Sequence, residues 1–231
     1  TDYEKNIDQF ATEGYDAIIT VGFLMGDATA VKARQYPDIK FAIVDNAYFP
    51  TEGSAACGAD VKDCYDDGGL KNVTSLMFQE DEVGFLAGVV AAGMSKSGTI
   101  CTVSGMEIPP VVRFVTGYQA GAKWMKADTK TLNVYIPSCV DPAKGKETGQ
   151  SMIDQGCDVI TMHLDSPIAV LQAAEAAGVY SIGFMSLESQ QFAPTGWITG
   201  LGLTWGDFYT QNAQKVIDGT WAPGFIRMGR A

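Results

Sequence analysis

The sequence predicts an α/β chain of doubly wound parallel sheets flanked by helices, and three observations carry that prediction. Short, continuous apolar runs recur at Ala17 to Phe23, Phe41 to Asp45, Gly98 to Ser104, Thr131 to Pro137, Asp158 to Leu164 and Tyr180 to Ser186. Each is closed by a small or polar stop, and helical patterns fill most of the gaps. Unbroken apolar runs mark strands covered on both faces, and their alternation with helices marks parallel βα units. In such sheets ligands collect beyond the strand carboxyl ends, so the residues just past each run are the functional candidates.

Along the chain, Thr1 to Gly14 reads as a helix with Tyr3, Ile7, Phe10 and Ala11 on one face and Gly14 placed to end it. A second helical stretch runs from Asp27 to Tyr36. The segment 46–71 is a long irregular excursion, of a length usually functional or decorative. Asn72 to Phe78 is β-like, and Glu82 to Met94 is an amphipathic helix rich in Ala and Gly for close packing. Pro109 and Pro110 open the next helix, where a missing N–H is harmless; Val112, Val115, Ala122 and Met125 are expected on its buried face. Asp141-Pro142 supplies an N-cap and an N1 proline to a helix ending at Gly156, and Ser166-Pro167 repeats the device for one ending at Gly178. Trp197 to Trp205 is β-like, Asp207 to Asp218 helical, and Ala222 to Ala231 carries no pattern.

The chain has 231 residues, 46% hydrophobic and 19% charged, enough for one large domain or two small ones with a sizeable core. A net charge of −11 without a basic cluster argues against a nucleic-acid surface. No apolar run reaches the roughly 18 residues of a membrane span. Thr1 is not a natural start, which leaves room for a removed signal peptide. Among five cysteines, Cys57 and Cys64 share a polar segment, compatible either with a local disulfide in an oxidising compartment or with two free thiols. Cys101 and Cys157 are expected as small core residues, and the odd count leaves at least one thiol unpaired. A single histidine and no CxxC pair argue against a metal site.

No catalytic constellation is present. There is no G-x-S-x-G elbow, no phosphate loop and no dinucleotide fingerprint, and the carboxylate pairs Asp66-Asp67 and Glu80-Asp81 lie in polar stretches. The chain is therefore expected to be no enzyme and to carry no cofactor. What the strand ends do offer is Phe23 and Asp27, Asp45 and Asn46, Gly105, Met106 and Glu107, Ser138 and Asp141, His163, Asp165 and Ser166, and Met185 and Ser186. Singly, each is a common cap or loop residue, Asp141 and Ser166 above all. Together they would line a cleft suited to a neutral, planar, polar solute. Phe23, Phe85 and Trp205 are candidates for stacking on a ring or for core packing. His163 falls at the cleft end of its strand, either as a core histidine or as a neutral imidazole bonded to the ligand.

The ordered segments Gly22 to Ala28, Phe41 to Asp45, Glu82 to Gly88, Ser104 to Pro109, Gly117 to Ala122 and Asp141 to Glu147 give a family likeness. The chain resembles the basic membrane protein family of solute-binding lipoproteins, the purine-nucleoside receptor A type, to about Trp221. The resemblance implies a two-lobed type I periplasmic binding fold that closes on a small molecule. One lobe would be 1–76 plus 206–231 and the other 77–200, with crossings near 72–78 and 197–205. It also implies that the first strand and helix and the C-terminal part of the family are missing here.

Family members bind purine nucleosides, and some bind free purine bases or riboflavin, delivering them to an ABC permease. The resemblance thus implies an extracytoplasmic receptor, anchored by a lipid outside this chain. Its ligand contacts would be Phe23, Asp45, Phe85, Gly105, Met106, His163, Asp165, Ser186 and Trp205. Two departures bear on the ligand. Where nucleoside binders carry an Asp after the Ile-Gly-Val strand, this chain has Met185 after Ile182-Gly183-Phe184, and a Lys expected near the later hinge strand has no counterpart in Leu203-Thr204-Trp205. Losing the carboxylate that grips a ribose diol favours a free base such as adenine. The alternative is a sensory or structural binding module of the same fold in a larger assembly.

Overall fold

Two parallel sheets take up the apolar runs in the computed structural model, which describes residues 2–66, 68–185 and 187–228. The first unit holds residues up to Phe78 and returns at Thr204–Met228; the second is Gln79–Leu203. Residues 77–78, expected in the second lobe, stay in the first because their strand pairs on to its end there.

In the first unit α1 (Asp2–Thr12) leads to β1 (Ala17–Val21), α2 (Gly26–Gln35) and β2 (Lys40–Val44). The irregular excursion then enters β3 (Val73–Phe78). The sheet order is β1-β2-β3 followed by a strand from the returning segment, β4 (Gly224–Met228). That strand falls in the stretch expected to form no element. Five residues flanked by Pro223 and a polar end carry little signal by themselves, and pairing from Thr74↔Gly224 to Phe78↔Met228 is what orders them. A helix, Gly206–Ile217, precedes it in the same segment. Phe41, Ala42, Ile43 and Val44 are fully buried, as a central parallel strand requires. On α1 only Ile7 is buried; Tyr3 and Phe10 are exposed, and Phe10 packs on Tyr15 instead.

The second unit repeats the rhythm through Glu80–Met94, Thr99–Ser104, Pro109–Met125, Lys130–Tyr135, Pro142–Asp154, Val159–His163, Ile168–Ala177, Tyr180–Met185 and Trp197–Gly202. Its helices are α3, α4, α5 and α6 in that order, and its strands β5 (Thr99–Ser104), β6 (Lys130–Tyr135), β7 (Val159–His163), β8 (Tyr180–Met185) and β9 (Trp197–Gly202). The sheet order is β6-β5-β7-β8-β9, all parallel. Register aligns Ser104 with Tyr135 and with His163, so three strand exits share one level. Asp141 caps α5, accepting the Lys144 N–H at 2.9 Å. Asp158 joins the end of α3 to β7, accepting from the Ser95 hydroxyl at 2.6 Å and the Lys96 and Ser97 N–H groups at 2.7 Å.

Helices α3 and α4 run parallel and touch backbone to backbone. Methyl groups on Gly84, Gly88, Gly117 or Gly121 would overlap the carbonyl oxygens of Phe114, Tyr118, Asp81 and Phe85. The interleaved Gly-x-x-x-Gly spacing on both helices is what lets them approach so closely. The face of α4 that packs inward is Val111, Phe114, Val115, Tyr118 and Ala122; Met125, expected with them, is exposed because the helix ends there.

Two disulfides are present. Cys57 and Cys64 are bridged within the excursion, and Cys101 is bridged to Cys157, correcting the expectation that these two were simply core residues. Cys101 lies on β5 and Cys157 just before β7, so the parallel pairing brings their Cα atoms to 6.0 Å. Cys139 is free. No helix among the described residues is long and apolar enough to cross a membrane.

Two outcomes test this packing. Denatured, unreduced protein should take up one equivalent of alkylating agent and reduced protein five, read by intact mass. Gly88→Ala should lower the urea-unfolding free energy by about 2 kcal/mol or more, despite alanine's better helix propensity. Stability within about half a kcal/mol of the parent chain would contradict the backbone contact.

Candidate functional site

In the first unit the carboxyl edge of the sheet is built by three sharp exits. β1 ends at Gly22, whose φ of 105° turns the chain into a 3₁₀ turn, Phe23–Met25, and then α2. This leaves Phe23 half-buried at the exit. β2 ends at Asp45, a non-glycine residue with φ 64°, whose N–H donates to the Leu76 carbonyl at 2.8 Å. Left-handed backbone at a residue with a Cβ costs about 1–2 kcal/mol and is tolerated where the surroundings impose it. Asn46 follows, buried against Gly26, while the Tyr48 hydroxyl donates to the Gly26 carbonyl at 2.8 Å.

Beside them, Trp205 sets its ring 5.8 Å from Phe78 and 6.5 Å from Tyr209. Partial burial raises the Tyr209 phenol above its ordinary range, and the Asp45 charge adds to the shift. Phe78, Trp205, Tyr209 and Asp45 thus form an aromatic corner with a carboxylate nearby. Sequence reasoning named Asp45 and Trp205 but missed Tyr209; its signal was the i, i+4 spacing from Trp205 on one helix face.

In the second unit the ends of β5 and β7 are locked together. The Gly105 N–H donates to the His163 carbonyl at 3.0 Å, and the Asp165 N–H to the Cys139 carbonyl at 2.9 Å. A side chain on Gly105 would run into Cys139, so glycine is required where the two loops meet. Met106 follows, half-buried. His163 is packed between aromatic rings, 4.2 Å from Phe184 and 5.3 Å from Phe114. Burial above all, aided by the charge of Arg113, holds its imidazole down to about 4, so it is neutral at pH 7. Arg113 itself gives both Nε and Nη2 to one Glu80 oxygen, at 3.1 and 2.9 Å.

Between the exits of β7 and β8 lies a cavity of about 340 Å³ lined by Asp165, Ile168, Phe184, Met185, Gln191 and Phe192, among others. Burial raises the Asp165 carboxyl above its ordinary value. Met185, with φ 70°, is the second non-glycine residue in left-handed backbone, again at a strand exit. The Ser166 hydroxyl is buried without a hydrogen-bond partner. It does not cap α6 as expected: the helix begins one residue later, after Pro167, with no side-chain cap.

The structure therefore brings Gly105, Met106, His163 and Asp165 to one edge of the second sheet, and Phe23, Asp45 and Trp205 to the equivalent edge of the first. It does not bring Phe85 there. That ring sits 6.0 Å from Trp124, near the C-terminal end of α4, because α3 and α4 run parallel and Phe85 lies beside Gly121. Ser186 lies outside the described residues. Phe184, missed from the sequence, was flagged only by standing next to a strand end. No group of three or more His, Cys, Asp or Glu among the described residues could hold a metal ion.

Comparison with known proteins supplies the context. Residues 1–229 match the family of PnrA-like ABC transporter substrate-binding proteins (Bmp). A purine-binding protein of Brucella abortus is 30% identical over 220 residues, 95% of this chain and 57% of that protein. The nucleoside-binding protein BmpA of a Lactococcus lactis ABC transporter is 36% identical over 160 residues, 69% of this chain and 40% of that protein. The chain spans about half the length of the curated relatives it matches. Among solved structures, a solute-binding protein of an ABC transporter system from Aeropyrum pernix superposes with a TM-score of 0.81 at 26% identity, covering 98% of this chain and 61% of that one.

The depressed His163 sets a pH dependence. Unfolded, the imidazole titrates near its ordinary value, so below about pH 6.5 the unfolded chain binds a proton the folded chain refuses. Stability is full above that pH and falls toward pH 4, by about 2–3 kcal/mol at pH 4.5. Urea unfolding at pH 7 and 4.5 should show this difference shrink by that amount in His163→Phe; an unchanged difference would contradict the enclosure.

Proposed function

This chain belongs to the PnrA-like family of ABC transporter substrate-binding proteins, a family of receptors rather than enzymes, and from that premise we propose that it captures a purine-like solute outside the cytoplasm for an ABC permease. Within that class it prefers a free base to a nucleoside. The names of the Brucella and Lactococcus relatives support the purine class. Relatives named as lipoproteins support a lipid-anchored receptor. Two disulfides, both buried and one in each unit, suit an oxidising compartment.

The observation that carries the base preference is Met185. A thioether stands at the exit of β8, in backbone that fixes its direction, where the family likeness puts the carboxylate for a ribose diol. Next to it, Phe184 and neutral His163 give an aromatic face and a hydrogen-bonding edge without a charge, which suits a purine ring. One feature favours a second reading, a nucleoside: Asp165 lines the same cavity and carries a carboxyl group that could serve a sugar hydroxyl.

Calorimetric titration separates the two. Adenine, guanine or hypoxanthine should bind at least about tenfold more tightly than its nucleoside, a difference of about 1.4 kcal/mol, and Met185→Asp should narrow or reverse the ratio. A nucleoside binding tenfold more tightly than its base would favour the Asp165 reading. Trp205→Ala should weaken whichever ligand binds by tenfold or more; an unchanged dissociation constant would remove Trp205 from the site.

A further inference from the structure

The outer face of the α3–α4 pair belongs to none of the features above. It carries a groove of about 550 Å³ with mostly apolar walls, lined by Glu82, Phe85, Leu86, Thr116, Gly117 and Ala120 with their neighbours. The groove exists because glycines draw the two backbones together and leave no side chains to fill the seam above them. Leu86 is 42% exposed. At the groove's far end Trp124 leans on Phe85 yet remains 72% exposed, and Met125 beside it is 44% exposed. A pocket and a projecting indole therefore lie on one surface, the indole bordering the pocket at its C-terminal end through Phe85.

Charge is polarised along the helix pair. The N-terminal end of the pair carries Asp81 and Glu82, with Glu80 taken up by Arg113. The C-terminal end carries Lys96, Lys123 and Lys126, with Asp128 among them; Lys123 also donates to the Thr129 carbonyl at 2.6 Å and Lys126 to the Ser95 carbonyl at 3.4 Å. Because α3 and α4 run parallel, their dipoles add rather than cancel. A second identical pair laid antiparallel sets acid over base and opposes the dipoles. A twofold axis across the helices does this while carrying each knob toward the other copy's pocket, and the arrangement closes at two copies.

We propose that this face is a self-association surface, on which a second copy of the chain docks about a twofold axis with each Trp124 entering the other's α3–α4 groove. The tryptophan is the anchor, Leu86 and Phe85 are the pocket wall, and the charged ends fix the antiparallel direction.

Sedimentation velocity of the full chain up to about 100 µM, enough to saturate a micromolar dimer, tests this. The expected result is a concentration-dependent dimer. Trp124→Ala and Leu86→Glu should each weaken it at least tenfold while leaving the thermal melt of the monomer in place, since both residues are exposed. Lys123→Glu with Lys126→Glu should weaken it as well, most at low salt. A single monomeric species throughout, or a dimer that survives both Trp124→Ala and Leu86→Glu, would overturn the proposal, as would a groove occupied only by a different protein.

Discussion

A parallel sheet covered by helices on both faces has no place for a working polar group except at its edges, and most of this molecule follows from that constraint. Strand interiors such as Phe41 to Val44 are wholly apolar and wholly buried. Hydrogen-bonding side chains are pushed to the exits, where the chain must turn sharply to start the next helix. Among the described residues, the two non-glycine residues in left-handed backbone, Asp45 and Met185, stand at such exits, one in each unit. Left-handed backbone at these points costs stability and persists because the sharp strand-to-loop turns impose it.

The same constraint shapes the second unit from outside. Covering its sheet requires helices to lie side by side, and α3 and α4 meet with no side chain between them. Their N-terminal ends are tied by Glu80 and Arg113, and this places a guanidinium where its charge reaches His163. The helix seam and the imidazole therefore share a neighbour: Arg113 ties the pair and adds a smaller push to an imidazole that burial already keeps neutral.

Much of the fold was legible because it rests on local pattern. Apolar runs marked the strands, Asp141-Pro142 marked a cap, and the strand exits marked the edges where His163, Gly105 and Asp45 stand. What was not legible depended on partners distant in sequence. Cys101 and Cys157 meet only because β5 pairs with β7, skipping β6 in sequence order. The strand Gly224–Met228 is ordered by β3, 150 residues earlier in the chain. Phe85 was open to stacking on a ring or to packing, and the sequence alone does not show that it lies beside Gly121 and against Trp124. Ser166 looked like a cap from composition alone, and only the backbone at Pro167 decided otherwise.

The cysteine pairing has a consequence for how the chain matures. Cys57 and Cys64 are seven residues apart, so their loop closes readily in an unfolded chain; the 56-residue loop from Cys101 to Cys157 is about 2 kcal/mol harder to close on chain entropy alone. Free Cys139 stands between those two in sequence and is the nearer partner of each. Before β5 and β7 pair, random oxidation therefore favours a wrong bridge to Cys139 over the native one. Correct oxidation must either wait for the second sheet to form or be repaired by thiol exchange, which ties the yield of native protein to the isomerase activity of the compartment in which it folds.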